Sequence, residues 1–74
     1  MAETMGDRIR EARIACRMSQ EEAALEADMS RATWSRLEND GTNGPRLSTL
    51  MRVAVTLRMP LEKLLSGDGR RAPR

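Results

Sequence analysis

The chain contains no histidine, no tyrosine and no phenylalanine, and it carries a single cysteine and a single tryptophan. Without histidine, the side chain that moves protons near neutral pH is missing. Cys16 therefore has no imidazole to activate it as a nucleophile. The same two scarcities exclude a Cys/His metal cluster, and one cysteine cannot close an intramolecular disulfide. Long apolar runs are absent too, so neither a signal peptide nor a membrane span is read from the sequence, and a cytoplasmic location is the default expectation. These absences favour a binding protein over an enzyme. No cofactor, metal or membrane partner is expected, and no small-molecule ligand, because 74 residues leave little room for a ligand domain.

What is present points to one small domain held by helix packing, by a partner subunit, or by both. The formal net charge is only +2, but its distribution is uneven. Residues 1–29 carry four arginines against seven acids, a net −3, whereas residues 30–74 carry nine bases against four acids, a net +5. A one-sided basic surface is the electrostatic footprint of a nucleic-acid binder. All the bases but Lys63 are arginine, whose rigid fork suits phosphates and guanine edges. A GC-rich genome that favours arginine codons explains the same bias equally well.

Residues 1–5 read as a flexible start, and residues 6–66 as the folded domain. Met5, Ile9, Ala12 and Cys16 recur at helical spacing and predict a first helix over about 6–17. Ser19-Gln20-Glu21-Glu22 fits a capping box that opens a short, alanine-rich helix over 20–27. Asp28-Met29 interrupts it, and Ser30 is a fresh N-cap for a third helix over 31–39 with Trp34 and Leu37 inward. The turn-rich segment 40–45 is a loop. Leu47, Leu50, Val53, Ala54 and Leu57 predict a fourth helix over 47–57, and Pro60 opens a short fifth with Leu61, Leu64 and Leu65. Residues 67–74 read as a basic, disordered tail. With no strand signal and no repeat, the fold class is all-α, five helices around one core.

The informative unit is helix, three-residue turn, helix from Gln20 to Leu37. Close crossing of the two helices needs a small residue, which Ala24 supplies, and the turn needs a residue tolerant of left-handed backbone, which Asp28 accepts. Trp34 and Leu37 bury one face of the second helix, leaving Arg31, Ala32, Thr33, Ser35 and Arg36 outward. A rod of this kind fits the major groove while the preceding helix lies across the backbone.

Ser19-Gln20-Glu21-Glu22, Ala24, Met29-Ser30-Arg31, Trp34-Ser35-Arg36-Leu37-Glu38-Asn39 and Pro45 together resemble the Cro/phage-repressor (Xre-type) helix-turn-helix family. Arg8-Ile9-Arg10-Glu11-Ala12-Arg13 and Leu61-Glu62-Lys63-Leu64-Leu65 extend the resemblance over about residues 6–65. It implies a lambda-repressor-like five-helix domain whose third helix reads double-stranded DNA. Arg31, Ala32 and Arg36 match positions that meet base edges; the arginines suit guanine and Ala32 the thymine methyl. Gln20 matches a position that touches the DNA backbone and a base. Ser30, Thr33, Ser35 and Asn39 match positions near phosphates, which set register. Arg46 matches a basic residue beside the backbone or minor groove. Arg13 and Glu38 match a structural pair that ties the first helix to the third.

The chain departs from the family at Ala23 and Ala27, where leucine is common, at Asp28, where glycine is common, and at Leu25, a normally polar position. A thin core beside the second helix is therefore expected, filled by Trp34 or by Met18 and Met29. Discrimination among genomic sites favours a homodimer on an inverted repeat with half-sites about 34 Å apart. The segment from Arg58 to Leu65 is the expected interface, with Arg58, Met59 and Leu61 as contacts. Small members of the family include phage repressors, restriction-modification controllers and antitoxins. The alternative reading is accordingly a protein-interaction module such as an antitoxin with a protein partner.

Overall fold

The computed structural model describes residues 4–40 and 46–66. They form α1 (Met5–Ala15), α2 (Gln20–Glu26), α3 (Arg31–Asp40), α4 (Leu47–Leu57) and α5 (Leu61–Ser66), with no strand among them. The central helix α3 packs on α1 and α2, while α4 and α5 close the bundle against α1. The all-α, five-helix architecture expected from the apolar spacing is present. Residues 41–45 of the expected loop and the expected tail at 67–74 lie outside the described residues.

Local chemistry sets the helix starts. The Ser19 hydroxyl accepts from the Glu22 amide at 3.0 Å and the Glu22 carboxylate accepts from the Ser19 amide at 2.9 Å, the reciprocal box read from the sequence. Thr4 and Asp7 form a second box at 3.0 and 3.2 Å. It starts α1 at Met5, so Thr4 and Met5 belong to the folded domain rather than to a flexible start. The Ser30 hydroxyl accepts from the Thr33 amide at 3.1 Å and opens α3.

Three helices stop in the same way, and none uses glycine. Arg17, Asp28 and Arg58 have φ of 61°, 61° and 59°. Each reverses the chain so that its own amide and the next reach back to carbonyls three and five residues earlier: Arg17 to Ile14 and Met18 to Arg13, Asp28 to Leu25 and Met29 to Ala24, Arg58 to Val55 and Met59 to Ala54. This pairing satisfies helix-end carbonyls and places an apolar residue just past the turn against the core. Here that residue is methionine each time; Met18, Met29 and Met59 are all half-buried against the core. Asp28 thus fills the left-handed position its sequence context implied. The Arg17 reversal ends α1 two residues earlier than expected.

The core also answers the alanine departures. Ala23, Ala24 and Ala27 are buried, and Trp34, 0% exposed, is among the fully buried side chains with Ile9, Val53 and Leu64. A large ring on α3 facing small residues on α2 keeps packing close at a helix crossing. Met18 and Met29 add volume around it. Cys16, half-buried, donates its thiol to the Leu57 carbonyl at 3.7 Å, and Leu25 is 78% exposed.

Gly6 marks the closest approach of α1 to α3. A Cβ there would overlap the Glu38 carbonyl oxygen and lie 2.8 Å from its carbon and 3.1 Å from the Leu37 carbonyl oxygen. In an open helix, Gly→Ala stabilises by about 1 kcal/mol. At this position the neighbour is backbone and cannot yield cheaply. Gly6→Ala is therefore expected to destabilise the domain by about 1–3 kcal/mol in urea unfolding, and a stabilised variant would show that α1 and α3 are not in contact at this point.

Candidate nucleic-acid interface

The face that the sequence assigned to DNA is carried by α3. Arg31, Ala32, Ser35, Arg36 and Asn39 fall within about 140° of the helix circumference. Arg31, Ala32, Arg36 and Asn39 are exposed; Ser35 and, at the edge, Thr33 are half-buried. Trp34 and Leu37 occupy the opposite side, Glu38 flanks the outward arc beside Arg31, and all three are buried. Among the described residues, neither Arg31 nor Arg36 makes an ion pair. Both side chains are exposed, and among the described residues no hydrogen bond from either guanidinium is found. The polar residues between them bond along the helix: Asn39 Nδ2 donates to Ser35 Oγ at 3.4 Å, and Ser30 Oγ donates to Thr33 Oγ1 at 2.9 Å.

What holds α3 in this rotation is the carboxylate of Glu38, 2% exposed as a side chain. Arg13 on α1 donates from Nε to Oε2 at 2.6 Å and from Nη2 to Oε1 at 3.3 Å. Trp34 Nε1 donates to Oε2 at 2.6 Å. Gln20 Nε2, at the start of α2, donates to Oε1 at 3.0 Å. One buried anion thereby joins α1, α2 and α3. Arg13 Nη1 also donates to the Met18 carbonyl at 2.9 Å, anchoring the α1–α2 turn. The sequence reading recognised the Arg13–Glu38 pair but missed the other two donors. For Trp34 the signal was available, since residues 34 and 38 are one helical turn apart.

Gln20 has a structural role as well. Its amide nitrogen donates one hydrogen bond to Glu38, because the start of α2 lies beside the second half of α3, and its second N–H and its carbonyl oxygen remain to meet a ligand. The expected interface residues differ in exposure. Met59 is the apolar residue closing the α4 stop, and Leu61 packs half-buried on the subunit's own core. Of the three, Arg58 alone is exposed.

Helix polarity adds an observation that the sequence reading did not make. The first turns of α1, α2 and α5 carry acids, Asp7, Glu21 with Glu22, and Glu62, as the helix dipole favours. The first turns of α3 and α4 carry none. Arg31 opens α3, and Arg46 is the N-cap of α4 with no side-chain hydrogen bond to the helix. Both helix starts therefore carry an arginine and no acid, an arrangement that suits a phosphate at the positive end of the helix dipole.

Five helices with a helix-turn-helix across α2 and α3 define the lambda-repressor-like class of small helical domains. The chain belongs to the helix-turn-helix domain family, whose pattern matches residues 4–66, and the resemblance to its Xre-type members holds. It is 31% identical over 64 residues to an uncharacterized helix-turn-helix-type transcriptional regulator, RghRB, of Bacillus subtilis (strain 168). That match takes in 86% of this chain but 46% of the relative, so the chain spans about half its length. The fold is similar to that of SinR, a master regulator for biofilm formation solved in complex with DNA, with a TM-score of 0.78, 26% identity, and coverage of 84% of this chain and 98% of that one.

Burial raises the Glu38 pKa, but the hydrogen bonds from Arg13, Gln20 and Trp34 and the Arg13 charge outweigh it and leave the carboxyl below its ordinary value. A lowered folded-state pKa stabilises fully above the unfolded value, about 4.3, and the contribution disappears as pH falls through the folded one. Glu38→Gln is expected to unfold more easily at pH 7, by about 3 kcal/mol if Arg13 is left unpaired, and to lose part of the native acid sensitivity below about pH 4.3. Tryptophan fluorescence during acid titration reads both effects; an unaltered acid limb would remove Glu38 from its central place.

Proposed function

We propose that the chain is a sequence-specific DNA-binding transcriptional regulator that lays α3 in the major groove and reads an inverted repeat as a homodimer. The observation that carries this reading is the pair Arg31 and Arg36, exposed without ion pairs among the described residues on the outer face of a helix whose inner face is locked. The DNA in the SinR structure and the regulator description of the Bacillus relative support it. In this reading Arg31 and Arg36 donate to guanine O6 and N7, and Ala32 offers a methyl contact. Ser30, Thr33, Ser35 and Asn39 border phosphates and set register, as does Arg46 at the start of α4. Gln20 contributes mainly by fixing Glu38. With no described helix long and apolar enough to cross a membrane, no lipid surface enters the reading. Repression or autoregulatory control of a nearby promoter is the proposed outcome.

A second reading, a protein-interaction module of the antitoxin kind, is favoured by one feature, Leu25 standing 78% exposed among the exposed acids Glu21, Glu22 and Glu26. Arg36→Ala separates the two. Selection from a random duplex pool, followed by anisotropy on the enriched duplex, is expected to show Arg36→Ala losing about 1–3 kcal/mol of specific affinity. The loss should be confined to one base position. Equal affinity of the unaltered chain for every duplex would defeat the sequence-reading claim.

Arg31→Glu supplies a test with opposite signs. An acid at the start of α3 suits the dipole, so stability is expected to rise by about 0.5 kcal/mol. DNA affinity is expected to fall steeply, together with a shallower dependence on salt, because a phosphate contact is lost. A variant that gains stability and keeps its affinity would show that Arg31 does not face DNA.

A further inference from the structure

The exposed apolar side chains are not scattered evenly. Of six large ones, Ile14, Leu25 and Leu65 stand singly on α1, α2 and α5, while Leu47, Met51 and Val55 share α4. They are spaced four residues apart and form one ridge along the outer face of that helix, 59%, 51% and 78% exposed. Solvent-facing positions of a small domain are ordinarily polar, and an aligned apolar row marks an interaction surface. Beside the ridge runs an open groove of about 260 Å³, with Glu26, Ala27 and Asp28 at the end of α2 on one wall and Arg52 and Thr56 of α4 on the other.

We infer that this α4 ridge and its groove seat a second copy of the chain. The surface carries both halves of its own complement. An isologous contact places the same patch on both subunits, so it must offer each feature and the partner to that feature. Ridges spaced at four residues interdigitate with one another, the commonest helix-packing class, which places Leu47, Met51 and Val55 of one α4 against those of the other. With the two-fold axis crossing α4, Arg52 of each copy faces Glu26 and Asp28 of its mate. One sign of charge on both walls would repel a second copy; here the walls are opposite in sign.

Size agrees with this occupant. A specific interface buries about 800 Å² per partner, roughly a sixth of the 4918 Å² that the chain exposes. Met51 and Val55 of the ridge also line the groove, so the two form one continuous surface. The segment expected to pair the subunits offers less apolar surface, because Met59 and Leu61 are half-buried against their own core and Leu65 stands alone on α5. The inference takes its stoichiometry from the two-subunit reading above, and its test keeps the two apart.

Sedimentation equilibrium of the full chain without DNA at ~100 µM, within the affinity range of interfaces this size, is expected to give twice the 8.3 kDa chain mass. Val55→Glu and Met51→Lys are each expected to give the single-chain mass with unchanged helical circular dichroism, while Leu25→Glu, off the ridge, leaves the pair intact. Two substitutions on one row keep the test decisive if either perturbs folding. A single-chain mass for the unaltered protein overturns the inference. So does a pair that survives both ridge substitutions, or one that Leu25→Glu dissolves. Anisotropy on a short random-sequence duplex at low salt reads DNA binding separately, and Val55→Glu is expected to hold within about threefold of the unaltered chain. Dimer failure with DNA binding intact discards only the ridge; loss of DNA binding by the unaltered chain discards the regulator reading instead.

Discussion

The arrangement of the domain depends on one buried carboxylate. Glu38 accepts from Arg13, Gln20 and Trp34, so a single anion receives a donor from each of α1, α2 and α3. A buried ion pair is a doubtful source of net stability, because two desolvated charges recover little more than their hydration. Its value here is directional. Apolar packing by Trp34 and Leu37 tolerates some rotation of α3 about its axis; the three hydrogen bonds that reach Glu38 from Arg13 and Gln20 on the other two helices tolerate much less. A shift of one residue in register would turn the helix by about 100°, enough to carry Arg36 into the buried position of Leu37. The carboxylate thus links the inner chemistry of α3 to the orientation of its outer face.

The three glycine-free helix stops serve the same end by another route. Left-handed arginine or aspartate carries a conformational cost of about 1 kcal/mol that glycine would avoid. Each stop returns an apolar methionine to the core, and methionine adapts to irregular space better than branched residues do. Around an alanine-lined α2 and one large indole, that adaptability fills what leucine fills elsewhere in the family. The helix-turn-helix turn at Asp28 is one of the three, so its geometry rests on the same packing as the rest of the bundle.

Much of this was legible in the residues, and the remainder was hidden for identifiable reasons. Apolar spacing located α4 at both ends, and Ser19 with Glu22 announced the start of α2, because periodicity and capping are local signals. The outward set on α3 followed from Trp34 and Leu37 being inward. The left-handed arginines were invisible, since arginine has no preference for that backbone region and its placement there is decided by packing after the turn. Gln20 was assigned to DNA from the family position it matches; its further bond to Glu38 was hidden because it spans 18 positions, a proximity that only tertiary structure creates. The half-burial of Met59 and Leu61 was hidden for a related reason. An apolar residue near the end of a domain looks alike whether it faces its own core or another subunit's.

Where local rules are broken, the breaks are confined to few places. Three of five helices obey the dipole with acids in the first turn, and the two that do not are opened by Arg31 and Arg46. Most exposed positions are polar, yet three apolar residues align on α4. Each is correctable by a single surface substitution. In a sequence otherwise consistent from caps to core, such local breaks are where a function is to be sought. The arginines ask for an anion beyond the domain, and the ridge asks for an apolar surface beyond it. The proposed two-fold pair on DNA answers both demands, because one symmetry axis can cover the ridge and present two α3 helices to a repeated target.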